Sequence, residues 1–507
     1  MQIENFIGGN FIAPLNGDYL ENHNPATGNV TSHIPNSTAD DIAEAVRAAQ
    51  DALPAWSALS LSERIEWLGK IAQALESRKD EIANIESMDT GKPINLARRV
   101  DAARSISNFE FFAKHAETLA DLTYEMDDAT NYVIRKPVGV VGLITPWNLP
   151  LYLLTWKIAP ALVMGNTIVA KPSELTPLTA NFLCEVLASI DFPKGVLNIV
   201  HGLGINAGQA ILEHPQIKAI SFTGGTSTGK IVAATAAPMF KKLSLELGGK
   251  NATIILDDAN LSTAAKGAAR AAFTNSGQVC LCGSRILVDA KIYDEFIPLL
   301  IDAVNTMKVG NPAQDDSDIG SVISPDHMKK VLSYIELAKQ EGGRIISGGE
   351  RMILPQPNSN GSFIAPTIIE GLGIDSRCAT EEIFGPVATI HKFTGDDEAI
   401  RMANGTEYGL AGSVWTADLA RGKSVAEKVE SGILWVNTWL HRDLRTPFGG
   451  VKNSGVGREG GDWSLNFFSE LTNICVKDDE HILISKAVEF VLWPSPEICH
   501  CLYYQWC

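Results

Sequence analysis

Val138-Gly-Val-Val-Gly-Leu-Ile144, Thr167-Ile-Val-Ala170, Val196-Leu-Asn-Ile-Val200 and Ala219-Ile-Ser-Phe222 are four short apolar runs separated by helix-length segments. Strands buried on both faces read as continuous apolar runs, whereas half-exposed strands alternate. This stretch therefore predicts a parallel sheet covered by helices. A second set follows, with strands at Ala252–Leu256 and Arg285–Val288 and a helix at Leu261–Phe273 between them. The chain reads as two successive α/β units meeting near Gly248-Gly249. Upstream, apolar residues at helical spacing predict a helix from Asp41 to Leu53. A second helix follows with Ser62 as N-cap. A third is expected over Asp101–Phe112.

The 507 residues carry 42 Lys+Arg against 59 Asp+Glu, a net charge of −17. At ~150 residues per domain, this length implies roughly two to four domains. With 45% hydrophobic and 20% charged residues the composition is that of a globular chain, able to bury its core without staples. The acidic balance excludes a nucleic-acid surface, which needs clustered Lys and Arg. The opening residues show no basic stretch followed by an apolar one, so no secretory signal is expected. The most apolar stretch, Leu151–Gly165, contains Lys157 and Pro160 and is too short to span a bilayer; it reads as a buried helix. Eight cysteines are too sparse for a disulfide framework, so a reducing cytoplasm is expected.

Several motifs carry chemistry. Gly224-Gly-Thr-Ser-Thr-Gly-Lys230 nearly spells a phosphate loop, but Ile231 stands where a magnesium-binding hydroxyl is required. What survives is a strand, a glycine turn and a helix start, with N–H groups placed for an anion. Gly202-Leu-Gly-Ile-Asn-Ala-Gly208 offers a second turn. Phe273-Thr-Asn-Ser-Gly-Gln-Val-Cys280 ends a helical segment in a cysteine, whose thiolate nearby N–H dipoles would favour. Cys282 lies two residues on, yet no His or Cys cluster follows, so no metal is expected. Leu243-Ser-Leu-Glu246-Leu-Gly-Gly249 sets a carboxylate between leucines; in a dry site its pKa would rise, which suits a general base. Thr145-Pro-Trp-Asn148-Leu-Pro150 puts an amide at a strand end, where it can donate to an oxyanion.

Taken in order, these motifs resemble the aldehyde dehydrogenase superfamily. Ala170-Lys-Pro-Ser-Glu174, Glu381-Glu-Ile-Phe-Gly-Pro386 and Pro447–Glu459 extend the likeness to nearly all of residues 1–477. The resemblance implies an α/β fold: a Rossmann-type NAD domain (1–115 and 137–247), an α/β catalytic domain (248–446), and a small β oligomerisation arm with a tunnel-closing segment (116–136 and 447–477). It implies a non-acylating, NAD-dependent enzyme. Cys280 would attack the aldehyde, the Cys280 amide and Asn148 side chain would hold the oxyanion, and Glu246 would activate the hydrolytic water. NAD would lie along Ile144, Thr145, Trp147, Gly204, Gly208, Phe222, Thr223, Gly224 and Gly225. Lys171 and Glu174 would meet the adenosine ribose, and Glu382 and Phe384 the nicotinamide ribose. Glu174 disfavours a 2′-phosphate by charge. Gly225 replaces a serine common in the family, removing one hydroxyl contact.

The same resemblance puts Arg104, Arg442, Tyr152 and Trp156 on the substrate tunnel. Paired guanidiniums suit a carboxylate, so the expected substrate is an acidic aldehyde. The alternative is that Arg104 or Arg442 pairs with Asp101 or Asp443, and Arg98, Arg99 and Arg445 read as surface or structural pairs. Residues 436–448 and 469–477 resemble the 2-aminomuconate and 2-hydroxymuconate semialdehyde dehydrogenase branch of aromatic catabolism, including the kynurenine pathway. 2-Aminomuconate 6-semialdehyde is the expected substrate, its 2-hydroxy analogue the alternative. A non-catalytic reuse of the fold would predict loss of Cys280, Glu246 or Asn148, and all three are present. A hairpin near Thr123–Arg135, paired with the segment Trp463–Val476, implies a homo-oligomer, a dimer or tetramer. No membrane or nucleic-acid partner is expected. Residues 478–507, with Cys499, His500, Cys501 and Cys507, depart from the family and read as an appended tail.

Overall fold

The computed structural model describes residues 1–477; the tail at 478–507 lies outside the described residues. Contacts divide the chain into a large unit, 1–118 with 137–469, and a small one built on 119–136 and the chain from 470.

In the large unit, one sheet has five parallel strands in the order Leu197–Ile199, Thr167–Lys171, Val140–Ile144, Ile217–Thr223, Lys242–Glu246. The chain starts at the central strand, winds outward to one side, then returns to build the other. The reversal between Val140–Ile144 and Ile217–Thr223 leaves a crevice beyond their carboxyl ends, where doubly wound sheets bind ligands. The apolar runs are largely buried: Val140, Val169, Val200 and Ile220 share one core cluster with Ile42, Val46 and Ala49 of the helix Ala39–Ala58. A second sheet has the order Arg344–Ser347, Thr367–Glu370, Val387–Phe393, Arg285–Asp289, Ala252–Ile255, Ala411–Trp415, Ile433–Val436. It is parallel except at Arg344–Ser347. Its core joins Ile286, Val288 and Ile390 to Ala264, Ala268 and Phe273 of the helix Leu261–Phe273.

Three expectations need correction. The second helix begins at Leu61 with Ser60, not Ser62, as its N-cap, because Ser60 and Glu63 form a reciprocal capping box. The third helix begins before Asp101: Ala97–Ala102 is a π-helical turn leading into the α-helix Ala103–Ala116. Such turns recur at functional sites, and periodicity at 3.6 residues cannot register one. Trp463 sits in the helix Gly461–Phe467, and residues 447–469 belong to the large unit.

The small unit is a three-stranded sheet in which Ala129–Pro137 lies between Leu122–Glu125 and Ser469–Lys477. Asn473 donates to Asn131 at 2.9 Å, and Lys477 pairs with Asp128. Leu122, Tyr124, Met126, Leu471, Ile474 and Val476 are exposed on it. The apolar stretch 151–165 forms the buried helix Pro150–Val163. Among the described residues no helix is long and apolar enough to cross a membrane, and no His, Cys, Asp and Glu cluster could hold a metal.

Candidate active site

A cavity of about 830 Å³ opens where the carboxyl ends of the first sheet face the loop that precedes Arg285. Cys280, Asn148, Trp147, Thr223, Gly224, Gly225, Glu382 and Phe384 line one part of it; Arg104, Tyr152 and Arg442 line another.

The loop that carries Cys280 is locally unusual. Asn275, Ser276 and Gly277 all have positive φ, at +55°, +56° and +69°. L-residues rarely hold this region, so the surroundings must over-determine it. They do: Asn275 donates to the carbonyls of Asn148 and Gln278, Ser276 to that of Gly320, and Gln278 Oε1 accepts from the Ile323 amide. The result presents Cys280, partly exposed, to the cavity. Its amide N–H has no acceptor among the described residues. Asn148 Nδ2 donates one hydrogen to the Gln278 carbonyl at 3.0 Å, which leaves the second free for a ligand oxygen.

The pKa of the thiol is shifted in the direction opposite to that suggested by the sequence. Burial first, then the charges of Glu382 and Glu246, push its pKa up, with Arg442 pulling the other way. The backbone dipoles expected to favour a thiolate are outweighed by a low-dielectric wall holding two carboxylates.

Glu246 ends its strand almost wholly buried, and neither carboxyl oxygen has a hydrogen-bond partner. Its pKa rises well above the ordinary carboxylate value, chiefly through burial and then the nearby Glu459; Lys157, Arg442 and Arg458 oppose this. Glu459 is itself held by Lys157 at 2.5 Å, Ser221 at 3.2 Å and the Trp156 indole at 2.9 Å. Of these two buried carboxyls, Glu459 is hydrogen-bonded through both oxygens and Glu246 through neither.

The crevice meets the requirements of a dinucleotide. Gly225 caps the helix Thr226–Ala236, and a Cβ on Gly225 or Gly204 would meet nothing within 4 Å, so both backbones face open space. Thr145 Oγ1 and Thr223 Oγ1 are buried without partners. Lys171 contacts Glu174 at 3.1 Å, at the carboxyl end of Thr167–Lys171. Ile144 and Phe222 close neighbouring strand ends, the Phe222 ring lying under Gly224. Gly204–Gly208 is a short π-helical turn, with Gly208 beside the Lys171 side chain. Glu382 accepts from the Gly249 amide at 2.9 Å. Phe384, at φ +60°, meets Trp147 edge-on at 5.2 Å.

Asp101 pairs with Lys92 and Asp443 with Arg445, so neither acid neutralises a tunnel arginine. Arg104 and Arg442 form no ion pair among the described residues. Arg442 lies 4.6 Å from the Trp156 ring and 4.0 Å from that of Phe448, and donates to the Tyr152 hydroxyl at 2.8 Å. Its Nε and second terminal nitrogen are buried and unpartnered. Arg104 stands 5.5 Å from the Tyr152 ring. Trp156 is corrected: buried to 1%, it backs Arg442 rather than lining the cavity. Arg98 and Arg445 form surface pairs as expected, whereas Arg99 lines the cavity. His327, Arg270, Trp439 and Phe448 were not anticipated. His327, its pKa lowered by burial to about 4, contacts the Phe384 carbonyl at 2.7 Å and the Trp147 ring. Trp439 and Phe448 lie within the stretch 436–448 already singled out, whereas only chain folding brings His327 and Arg270 to the wall.

The "Aldehyde dehydrogenase family" model matches residues 11–474. The 2-aminomuconic semialdehyde dehydrogenase of Mus musculus is 46% identical over 94% of this chain and 98% of its own length. The 2-hydroxymuconic semialdehyde dehydrogenase of Pseudomonas sp. (strain CF600) is 44% identical, over 94% and 99%. The solved NAD+ complex of an aldehyde dehydrogenase from Bacillus cereus superposes with a TM-score of 0.91 at 37% identity, covering 94% of this chain and 97% of that one. With the family's motifs set around one cavity, on the fold of its solved members, this chain belongs to the aldehyde dehydrogenase family.

Proposed function

We propose that the protein oxidises an acid-bearing semialdehyde with NAD, 2-aminomuconate 6-semialdehyde to 2-aminomuconate, with the 2-hydroxy analogue as the second reading. The observation that carries the proposal is a single cavity lined both by Cys280 with Asn148 and by two arginines without acidic partners among the described residues. The names of the relatives, 2-aminomuconic and 2-hydroxymuconic semialdehyde dehydrogenases, support the substrate class.

Arg442 is held rigid between two rings and by Tyr152, with unused N–H groups to grip the carboxylate remote from the aldehyde; Arg104 assists. The aldehyde carbon then meets Cys280 Sγ. As the C–S bond forms, the thiol proton leaves to Glu246, and the oxyanion is held by the Cys280 amide and the free Asn148 N–H. A bound nicotinamide dinucleotide supplies the hydride acceptor. Thr145, Thr223 and the Gly224-Gly225 turn would hold its phosphates and ribose, Lys171 and Glu174 its adenosine end, and Glu382 and Phe384 its nicotinamide end. The Glu174 carboxylate favours NAD over its 2′-phosphate form. Loss of hydride leaves a thioester on Cys280, and Glu246, once it has passed the thiol proton on to solvent, deprotonates the water that releases the acid.

The protein works as a homo-oligomer, dimer or tetramer, in the cytoplasm; the exposed apolar residues of the small sheet support the former, the free cysteines the latter.

The test follows NADH absorbance with an acid semialdehyde and a neutral aldehyde of similar length. Cys280→Ala abolishes both signals. Arg442→Ala lowers kcat/KM for the acid by roughly 10- to 100-fold, the worth of a charge-assisted hydrogen bond, and spares the neutral aldehyde. No turnover by wild type defeats the enzymatic reading; an equal effect on both aldehydes defeats the carboxylate reading.

A further inference from the structure

A group of buried charges lies beside Asn148, outside the lining of the cavity. Lys92 follows Gly91, which ends the helix Lys79–Thr90 in the left-handed region at φ +73°. Its Nζ is 2.7 Å from Asp101 Oδ1, 3.0 Å from the Asn148 carbonyl oxygen and 3.8 Å from Glu86 Oε1. The side chains of Lys92, Asp101 and Glu86 are all fully buried. Burial pushes the pKa of the Glu86 carboxyl well up, with Asp101 adding to it.

An ion pair this dry gives little stability over an apolar pair of similar size. What it supplies is geometry, since a buried ammonium must keep its acceptors. One acceptor is the backbone of Asn148; among the described residues the only other donor to that carbonyl is Asn275, at 3.2 Å. The other acceptor, Asp101, sits in the π-helical turn Ala97–Ala102, which presents Arg99 and Val100 to the cavity and continues into Arg104.

We propose that Lys92 is a positioning residue: through the Asn148 carbonyl it sets the amide that meets the oxyanion, and through Asp101 it ties that amide to the cavity wall bearing Arg99 and Arg104. The device rests on the aldehyde-oxidising reading above. Neither Lys92 nor Asp101 touches the substrate. Both act on where Asn148 points.

The experiment compares wild type, Lys92→Met, Asp101→Asn, Asn148→Ala and the double variant Lys92→Met/Asn148→Ala. It measures kcat and KM by NADH absorbance, and separately the rate at which iodoacetamide alkylates Cys280, a displacement that builds no oxyanion. Lys92→Met lowers kcat by roughly 30-fold, the scale of a donor displaced by a fraction of an ångström, while KM and alkylation stay within about threefold of wild type. Added to Asn148→Ala, it costs less than threefold more, since two residues acting through one donor are not additive. Unchanged kcat, alkylation that falls in step with kcat, or a full additional loss in the double variant each overturns the proposal. Should Lys92→Met not fold, Asp101→Asn, which keeps the shape and an acceptor oxygen, carries the same test, with kcat expected about tenfold down and wild-type kcat overturning it. Wild type without aldehyde turnover would instead defeat the reading on which the device rests.

Discussion

At the scale of the residue, the site depends on where protons reside. Burial raises the pKa of both Cys280 and Glu246. A raised carboxyl pKa means that the ionised base is scarce below that pKa and accumulates as pH rises through it. Activity should therefore climb with pH on a limb above the ordinary carboxylate range. Glu246→Gln removes that limb and slows thioester release by roughly 10²- to 10⁴-fold. The first turnover of NADH then appears as a burst, measurable by stopped flow with enzyme in excess; a steady-state rate equal to wild type would exclude Glu246 as the base. The leucines around Glu246 suggested this shift. The opposite direction for Cys280 could not be anticipated, because Glu382 reaches the thiol from a segment about a hundred residues away in sequence.

At the scale of the element, the loop 274–280 is the strained part of the machinery. Gly277 combines φ +69° with a position where a Cβ would run into the Gly385 carbonyl, the residue after Phe384. Gly277→Ala should lower stability by about 1–3 kcal/mol, since left-handed strain and a backbone clash add, and it should displace both Cys280 and Phe384. Thermal denaturation and NAD binding report the two effects; an unchanged melting temperature would show that the loop yields freely. The stretch around Cys280 was legible as functional by its motif. Its conformation was not, because Asn275 and Ser276 are held left-handed by partners remote in sequence.

At the scale of the whole molecule, two α/β sheets meet so that residues from 92 to 459 converge, and the small unit exposes an apolar sheet surface. Unpaired, such a surface invites association. Ile474→Asp with Leu471→Asp should shift the sedimentation coefficient toward a smaller species while circular dichroism stays unchanged. An unaltered sedimentation profile would remove this sheet from the assembly interface. The strand pattern of the parallel sheets was readable because burial on both faces writes continuous apolar runs. The boundary at residue 447 was not: composition does not change there, and 447–469 joins the large unit through contacts such as those of Glu459 with Lys157 and Trp156.

The amino-acid sequence by itself determined the α/β architecture, the family, and the candidates Cys280, Glu246 and Asn148, because apolar periodicity and motif chemistry are local properties of the chain. Only the tertiary structure decided that Arg442 and Arg104 have no acidic partner among the described residues, that Trp156 supports rather than lines, that burial raises the Cys280 pKa, and that Lys92 donates to the Asn148 carbonyl. Each of those is a matter of which distant groups share a low-dielectric space, and charge pairing and desolvation act through distance in space rather than separation along the chain.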